Sequence, residues 1–372
     1  MRHKDLCLQT LLLLWSFSCS IELDYTSIFS FGDSYTDTGN FVIISGPTTP
    51  ELAMTKPPYG MTFFGHPTGR ISDGRLIIDF IAEALGLPLL PPSFAANRSF
   101  EQGANFATAG GTALDRTFFV VNNYTVLSPF NISLRDQLRW FDGMKPSLCA
   151  GTPGGCRGFF SKSLFVVGEL GWNDYASVLL AGGGAGEARS VTPQVVSMIC
   201  AGTQKLIEDG ARTVVVSGIS PMGCTSGNLV LFASSSEEDY EPDTGCLKSL
   251  NLLSMEHNQL LREALTQLRG RNPGVRIIYG DFYTPLAELA ATPRRFGIDG
   301  EDGALRACCG GGGGRYNFNL SSACGMEGVT ACDDPSSYVN WDGVHLTEAA
   351  YHHVADGWLW GPYAQPTVLS SA

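Results

Sequence analysis

One serine lies where an α/β chain can place a nucleophile. Ser34 follows residues 27–31, an alternation of aromatic and β-branched side chains that predicts a short buried strand ending at Gly32. A polar run over 33–40 comes next and is rich in residues typical of turns and helix N-caps. Ligands of open α/β sheets bind at the carboxyl ends of strands. Ser34 could there supply a nucleophilic hydroxyl and a backbone N–H for an oxyanion, although an isolated Gly-Asp-Ser triplet also fits an ordinary turn.

A serine nucleophile needs a base, and histidine is the usual one. Beyond residue 20 the candidates are His66, His257, His345, His352 and His353. We expect His257 to be a surface or partly buried residue of a long helix, and His66 lies in a Pro/Gly-rich loop without a nearby carboxylate. His345 comes three residues after Asp342, with Gly343 between them. That spacing lets the carboxylate reach Nδ1 of the imidazole and leaves Nε2 for the serine.

The same histidine also belongs to a possible metal-binding pattern. His345, Glu348 and His352 stand at i, i+3 and i+7, which is one face of a helix. However, the chain has no His-Glu-x-x-His motif, and Gly343 favours a loop or first-turn position for His345. The cysteines form no Cys-x-x-Cys pair either. We therefore predict no metal and no other cofactor.

Two further predicted strand ends offer donors for an oxyanion. The segment 105–111 places glycines after a short strand, where a bare backbone N–H can approach a ligand closely. The segment 168–175 carries Asn173, whose side-chain amide can also donate. Each is a common loop feature by itself. Together they put polar groups at successive strand ends, the edge where an active site is expected.

The elements that position these residues follow from the hydrophobic pattern. Nearly continuous apolar runs suit strands that are covered on both faces, as in a parallel sheet. Beyond 27–31, we predict strands at 104–107, 163–168, 213–217 and 275–279. Apolar stripes with helical spacing cover 73–85, 195–207 and 250–269. This alternation predicts a three-layer α/β/α sandwich, and the glycine clusters at 182–186 and 310–314 lack the context of a phosphate-binding loop.

The first twenty residues have the pattern of a secretory signal peptide. A basic head precedes an apolar run, and small residues follow it. The apolar run is shorter than the roughly 20 residues of a membrane span. We predict a signal peptide at 1–20 and a single domain at 21–372, secreted to the cell exterior or held in the secretory pathway. Removal of 1–20 leaves 22 basic and 35 acidic residues. This acidic balance argues against nucleic acid or an anionic membrane as a partner.

Sequons and cysteines agree with a secreted protein. The sequon asparagines, predicted to be glycosylation sites, are Asn97, Asn123, Asn131 and Asn319. Nine cysteines remain beyond residue 20, so one is left unpaired if all bridges form within the chain. We predict Cys149–Cys156, Cys224–Cys246 and two bridges among Cys308, Cys309, Cys324 and Cys332. Cys200, within a helical pattern, is predicted to be a buried free thiol.

These blocks together resemble the plant GDSL esterase/lipases of the SGNH hydrolase superfamily. The four blocks, at 31–40, 105–111, 171–174 and 342–345, occur in the order of that family. The segments 216–224 and 281–283 are similar to it as well. The resemblance covers nearly the whole of 21–372 and implies a flavodoxin-like parallel sheet, the SGNH hydrolase fold. No Gly-x-Ser-x-Gly motif occurs, which disfavours the α/β-hydrolase fold.

The resemblance also implies roles for individual residues. Ser34 corresponds to the nucleophile, Asp342 and His345 to its base pair, and Ser34 N–H, Gly110 and Asn173 to the oxyanion hole. Gly110 is chosen over Gly111 by counting from the asparagine that opens the second block. The family often has glycine where this chain has Trp172. That side chain either narrows the substrate cleft, which would disfavour long acyl chains, or packs in the core.

We therefore expect a carboxylic-ester hydrolase that forms an acyl intermediate on Ser34. The Cys-rich stretch 308–334 is similar to the branch of the family with acetylesterases of specialised metabolites. The expected partner is a small-molecule or cell-wall ester, such as a short acyl group on a sugar, polysaccharide or specialised metabolite, with no obligate protein partner. A lipid acylhydrolase or an acyltransferase using the same site are the alternatives. A secreted binding protein that keeps the fold without turnover is the alternative outside enzymes.

Overall fold

A six-stranded sheet forms the centre of the molecule. The computed structural model describes residues 25–46, 52–298 and 303–370, so the predicted signal peptide lies outside the described residues. The strands are β1 (Ser27–Phe31), β2 (Gly103–Asn105), β3 (Ser163–Val167), β4 (Thr213–Ser217), β5 (Arg276–Gly280) and β6 (Ala364–Gln365), in the order β2-β1-β3-β4-β5-β6. The first five are parallel, and β6 is antiparallel to β5. The predicted α/β class and parallel sheet are confirmed, apart from this antiparallel edge strand.

Helices connect and flank the strands. They are α1 (Asn40–Ser45), α2 (Ile77–Ala84), α3 (Arg116–Val121), α4 (Leu134–Leu148), α5 (Gly155–Phe160), α6 (Trp172–Leu180), α7 (Ala185–Ser190), α8 (Thr192–Asp209), α9 (Ser226–Leu231), α10 (Lys248–Arg271), α11 (Thr284–Ala291) and α12 (Glu348–Trp360). In one group, α8 packs against α4, α5 and α10, and in a second, α12 packs against α2 and α11. Across the described residues, no helix combines the length and apolarity that a membrane crossing requires.

The predicted strands differ from the observed ones by small shifts at their ends. The predictions for β1 and β4 match the structure. The strand predicted at 104–107 is β2, which already ends at Asn105. Beyond Asn105 the N–H of Ala107 turns back to Asn105 Oδ1 at 2.8 Å, while the N–H groups of Phe106 and Thr108 still donate to the carbonyls of Ser30 and Gly32. The strand predicted at 275–279 lies one residue later, at β5.

The start of α2 shows what the periodicity of the sequence does not predict. The apolar stripe over 73–85 predicts a longer helix than the observed α2. Residues before α2 are instead bonded to the chain segment around the start of α12. Ser72 Oγ donates to the carbonyl of Leu346 at 3.0 Å, and Arg75 N donates to Glu348 Oε2 at 2.8 Å. The helix begins only after these contacts, at the turn where Asp79 Oδ2 accepts the N–H of Leu76 at 2.9 Å.

The disulfide predictions are confirmed. Cys149 pairs with Cys156 and Cys224 with Cys246, and the two remaining bridges are Cys308–Cys332 and Cys309–Cys324. Cys200 is the free cysteine of the described residues, although it is only partly buried, where a buried thiol was predicted. Burial raises the pKa of its thiol to about 11, which keeps it protonated and unreactive at neutral pH.

Candidate active site

The strand order brings three of the chemically interesting segments to one edge. β1 lies between β2 and β3, with Ser30 opposite Asn105 on one side and Phe31 opposite Val167 on the other. Because all three strands are parallel, the segments that follow them leave the sheet at the same edge. Ser34, Gly110 and Asn173 follow β1, β2 and β3 respectively. The sheet thus explains why residues far apart in sequence meet here.

The turn that carries Ser34 is built from its own polar side chains. The carbonyl of Asp33 accepts the N–H groups of Thr36 and Asp37, at 3.1 and 2.9 Å. The carboxylate of Asp37 accepts the N–H groups of Gly39 and Asn40 at the start of α1. Burial raises the pKa of Asp37 to about 6, against the effect of these backbone donors. The polar run that follows β1 is therefore a rigid scaffold for Ser34.

The turns after β1 and β2 are bonded to each other. Asp37 Oδ2 accepts the N–H of Ala109 at 2.8 Å. Asn40 Nδ2 donates to the carbonyls of Asn105 and Ala107, at 2.7 and 2.8 Å, and Asn105 Nδ2 donates to the carbonyl of Thr36. All these side chains are buried. The network holds the backbone around Gly110 at a fixed place relative to Ser34.

Asp342 and His345 form the hydrogen-bonded pair that their spacing predicts. His345 Nδ1 lies 3.0 and 2.9 Å from the two carboxylate oxygens of Asp342. Asp342 Oδ1 also accepts the backbone N–H groups of Val344 and His345, at 3.0 and 2.8 Å. Burial raises the pKa of Asp342, but the charge and hydrogen bonds of His345 outweigh it and lower the pKa to about 2. The carboxylate is therefore ionised and fixes the orientation of the imidazole.

The segments that carry Ser34 and His345 are in contact. Tyr35 donates its hydroxyl to the carbonyl of Val344 at 2.8 Å, and its ring centroid lies 5.5 Å from that of His345. Ser34 is 7% exposed. Ser34 Oγ and His345 Nε2 make no hydrogen bond to the part of the chain that the structure describes. Such catalytic pairs are often loose without substrate and tighten in the complex.

Two backbone N–H groups are available to an oxyanion. Those of Ser34 and Gly110 find no acceptor within residues 25–46, 52–298 and 303–370. Gly111 differs, because its N–H donates to the carbonyl of Thr108 at 2.8 Å. Gly110 also has a φ of 78°, in the left-handed region that favours glycine. This geometry favours Gly110 over its neighbour as a donor.

The amide of Asn173 is engaged with the protein. Its Nδ2 donates to Asp33 Oδ2 at 2.9 Å and to the carbonyl of Gly111 at 3.0 Å. Asn173 is 8% exposed, as buried as Ser34. The next residue, Asp174, accepts the N–H groups of Ala113 and Leu114, both at 2.9 Å. The start of α6 is thus tied to the turns after β1 and β2, and Asn173 must exchange or share an acceptor to bond a ligand.

Two positioning side chains were missed by the sequence reasoning. Gln137 on α4 accepts the N–H of Gly32 at 2.9 Å and donates to its carbonyl at 2.7 Å, which clamps the end of β1. Tyr59 donates its hydroxyl to Asp342 Oδ2 at 3.0 Å and packs edge-on against Trp341. Neither stands in a recognisable motif with its partner. Their partners are 105 and 283 residues away in sequence, so only the fold reveals the contacts.

Two other predictions about side chains are decided by burial. The prediction that His257 is a surface or partly buried residue was wrong. It is fully buried on α10, its Nδ1 is 2.7 Å from the hydroxyl of Tyr175, and burial lowers its pKa to about 3. Trp172 packs in the main core, which is the structural one of its two proposed roles.

The side chains of the alternative metal site contact other residues instead of converging on one point. Glu348 accepts the guanidinium of Arg75 at 2.8 Å, and His352 stacks on Phe80 with ring centroids 4.6 Å apart. In the described ranges, no group of three or more His, Cys, Asp or Glu side chains could hold a metal ion. The sequon asparagines at 97, 123, 131 and 319 are all exposed. Their glycosylation stays a prediction.

Comparisons with known proteins find similar sequences over nearly the full length of this chain. A family model described as GDSL-like lipase/acylhydrolase matches residues 28–358. A GDSL esterase/lipase of Arabidopsis thaliana is 46% identical over 350 residues, which cover 93% of this chain and 93% of the relative. A second one is 47% identical over 345 residues, 92% of this chain and 86% of that protein. The sinapine esterase of Brassica napus is 46% identical over 344 residues, covering 92% and 87%.

Proposed function

Because this chain belongs to the GDSL-like lipase/acylhydrolase family and is a carboxylic-ester hydrolase, we propose that it removes a short acyl group through an acyl-Ser34 intermediate. The proposed substrate is an ester of a sugar, a polysaccharide or a small specialised metabolite. The observation that carries the mechanism is the Asp342–His345 pair, in contact with the turn of Ser34 through Tyr35. A buried, ionised carboxylate on Nδ1 prepares the imidazole to accept a proton at Nε2.

The proposed reaction has two halves. Ser34 Oγ attacks the ester carbonyl while its proton passes to His345 Nε2, and the negative charge forms on the carbonyl oxygen. The N–H groups of Ser34 and Gly110 and the amide of Asn173 stabilise that oxyanion. Collapse breaks the ester C–O bond, and the imidazolium protonates the leaving alcohol. Water then attacks the acyl-serine while the imidazole takes its proton. Collapse of this second intermediate breaks the acyl–Oγ bond, the imidazolium returns the proton to Ser34 Oγ, and the acid is released.

A small cleft beside Gly110 supports a short acyl group. Its volume is about 20 Å³, and its walls include Gly110, Phe119, Ile132 and Ser177. Ile132 lies directly at the glycine, since a Cβ on Gly110 would be 3.6 Å from Ile132 Cδ1. Ser177 lies one turn after Asn173 on α6 and donates to its backbone carbonyl at 2.8 Å, so the cleft adjoins Gly110 and the helix that carries Asn173. A water-sized group needs about 10–15 Å³ measured in this way, so this cleft accepts about one methyl group.

The test of the reaction uses Ser34→Ala and p-nitrophenyl acetate. We expect turnover to fall by several orders of magnitude, to the residual rate that substrate binding and the oxyanion donors supply, and a fluorophosphonate probe to label the natural protein but not the variant. Ser236→Ala, in an exposed turn, is the matched control and should keep full activity. Turnover retained by the Ser34 variant would refute the mechanism. Absence of both turnover and labelling in the natural protein would favour a binding protein.

The test of acyl length compares p-nitrophenyl esters of increasing chain length. We expect kcat/KM to be highest for acetate and to fall with each added methylene. Ile132→Ala should widen the cleft and move the preference toward longer chains, while Leu252→Ala, at an exposed position of α10, should not. A natural enzyme that prefers long chains would contradict the short-acyl proposal and favour a lipid acylhydrolase. Acetylated xylan, acetylated glycosides, sinapine and triacylglycerols are the natural-type esters to compare next.

We also propose that the protein is secreted, and that it hydrolyses the acyl-serine instead of transferring the acyl group to an alcohol. Four disulfides agree with an oxidising compartment, as expected outside the cytosol. Mass spectrometry of the protein purified from the medium of expressing plant cells would locate the mature N-terminus near residue 21 and identify occupied sequons. Adding an alcohol acceptor to the assay separates the two chemistries, because an acyltransferase would form a new ester in preference to the free acid.

A further inference from the structure

Two acidic side chains lie buried against each other directly below the Ser34 turn. Asp33 precedes the nucleophile, and Glu169 follows β3. Each is 1% exposed. The two carboxyl groups lie close enough for a side-chain hydrogen bond between them, although Glu169 Oε2 has no donor while both are ionised. A pair of carboxylates cannot form such a bond unless one of them carries a proton.

The remaining contacts of the pair show which oxygens are already used. Asp33 Oδ1 accepts the N–H of Tyr35 at 3.0 Å, and Oδ2 accepts Asn173 Nδ2 at 2.9 Å. Glu169 Oε1 accepts the N–H of Trp172 at 3.1 Å. Glu169 Oε2 is buried and finds no donor among the described residues. An acceptor without a donor is costly in such a place, whereas a hydroxyl at Oε2 would have Asp33 as its acceptor.

We propose that Glu169 is a positioning residue that carries the shared proton and donates it to Asp33, so that the pair holds the Asn173 amide with one negative charge rather than two. This inference rests on the proposed ester hydrolysis at Ser34. Asp33 then keeps its bonds to Tyr35 and Asn173, which fix the turn of Ser34 and the proposed oxyanion donor. A second charge would hold the Asn173 N–H more strongly and repel the oxyanion that forms nearby.

The electrostatics of the site agree with a retained proton. Burial raises the pKa of Asp33 to about 6, and burial and the charge of Asp33 raise that of Glu169 well above its usual range. The titratable groups that face the pair are Asp174 and Tyr175 on α6, Tyr35 after β1, His345 before α12 and Tyr351 on α12. Asp174 opposes ionisation of both carboxyls, whereas His345 favours ionisation of Asp33. Loss of the proton at high pH should therefore weaken catalysis.

The variant that isolates this role is Glu169→Gln. Glutamine can accept from Trp172 through its oxygen and donate to Asp33 through its nitrogen at every pH. The natural enzyme should lose about tenfold in kcat on the alkaline side, and Glu169→Gln should lack that loss while retaining activity at lower pH. Glu169→Ala should lower kcat by about tenfold or more at all pH values, with KM little changed. Glu208→Gln, on the exposed side of α8, is the control and should match the natural enzyme.

A measurement on the natural protein completes the test without relying on any variant to fold. Selective ¹³C labelling of glutamate carboxyls, followed by an NMR titration, should show one glutamate that stays protonated well above the others. The proposal is overturned if all glutamates titrate in the ordinary range, if folded Glu169→Gln keeps the alkaline loss, or if it is inactive throughout. The titration does not depend on turnover, so its outcome is separate from that of the Ser34→Ala test.

Discussion

The hydroxyl of Tyr59 offers a sharp test of how the Asp342–His345 pair is positioned. It donates to Asp342 Oδ2 at 3.0 Å, and that same oxygen is 2.9 Å from His345 Nδ1. Tyr59 is 4% exposed, so water cannot easily replace the hydroxyl. Tyr59→Phe removes this one donor and keeps the ring that packs on Trp341. We therefore expect Tyr59→Phe to fold and to show a defect in catalysis.

The size of the defect follows from the bonds that remain. A hydrogen bond to a charged group contributes roughly 1.5–3 kcal/mol. Asp342 keeps the N–H groups of Val344 and His345 and the imidazole Nδ1, so the loss belongs at the low end of that range. About 1.4 kcal/mol corresponds to a tenfold decrease in kcat. KM should change little, since Tyr59 acts on the base and not on the substrate.

The assay is the hydrolysis of p-nitrophenyl acetate by Tyr59→Phe and by a matched control, Tyr363→Phe. Tyr363 also donates to a carboxylate, Glu288 Oε2 at 2.8 Å, but it lies at the β6 edge and serves α11. The control should lose stability and keep kcat. An unchanged kcat in folded Tyr59→Phe, or an equal fall in both variants, would show that the hydroxyl does not orient the base.

Two further predictions concern acid stability and the second glycine-containing block. The pKa of Asp342 is lowered from 3.8 to about 2, so its contribution of about 2 kcal/mol to the free energy of unfolding is present above pH 4 and lost as the pH falls toward 2. Over this window the free energy of unfolding should therefore drop by that much more in the natural protein than in Asp342→Asn. Asp356→Asn is the exposed control. Gly111→Ala should strongly lower the melting temperature, because its Cβ would lie 2.7 Å from the carbonyl oxygen of Gly32. The Cβ of Gly110→Ala meets no atom closer than 3.6 Å, so this variant should cost only about 1 kcal/mol of backbone strain. Equal stability of the two alanine variants would contradict this distinction.

Local chemistry and periodicity were enough to predict the class of the fold and much of the candidate site. The strands β1 and β4 are nearly all apolar and bounded by turn residues, so their limits could be read directly. The Asp342–His345 pair is only three residues apart, so its contact depends on a tight turn and not on the global fold. The local bridges Cys149–Cys156 and Cys224–Cys246 are similar cases.

Long-range contacts account for what the sequence did not predict. The periodicity of 73–85 describes a helical stripe, but it does not show that residues before α2 contact the region of α12 and that α2 begins only at Ile77. The pattern on α10 could not show that His257 is fully buried, because burial depends on what packs against that face. The two-residue strand β6 carries almost no periodicity of its own. Its place at the sheet edge comes from pairing with β5.

The residue types of the candidate site could be identified from the sequence, whereas the tertiary structure decides their protonation and their partners. Ser34, Asn173 and His345 could be singled out because few side chains can perform that chemistry. The sequence had no means to show that Asp33 and Glu169, 136 positions apart, share one proton. That pairing exists because β1 and β3 are neighbours in the sheet and end at the same edge. Burial there removes the water that would otherwise let both carboxyls ionise.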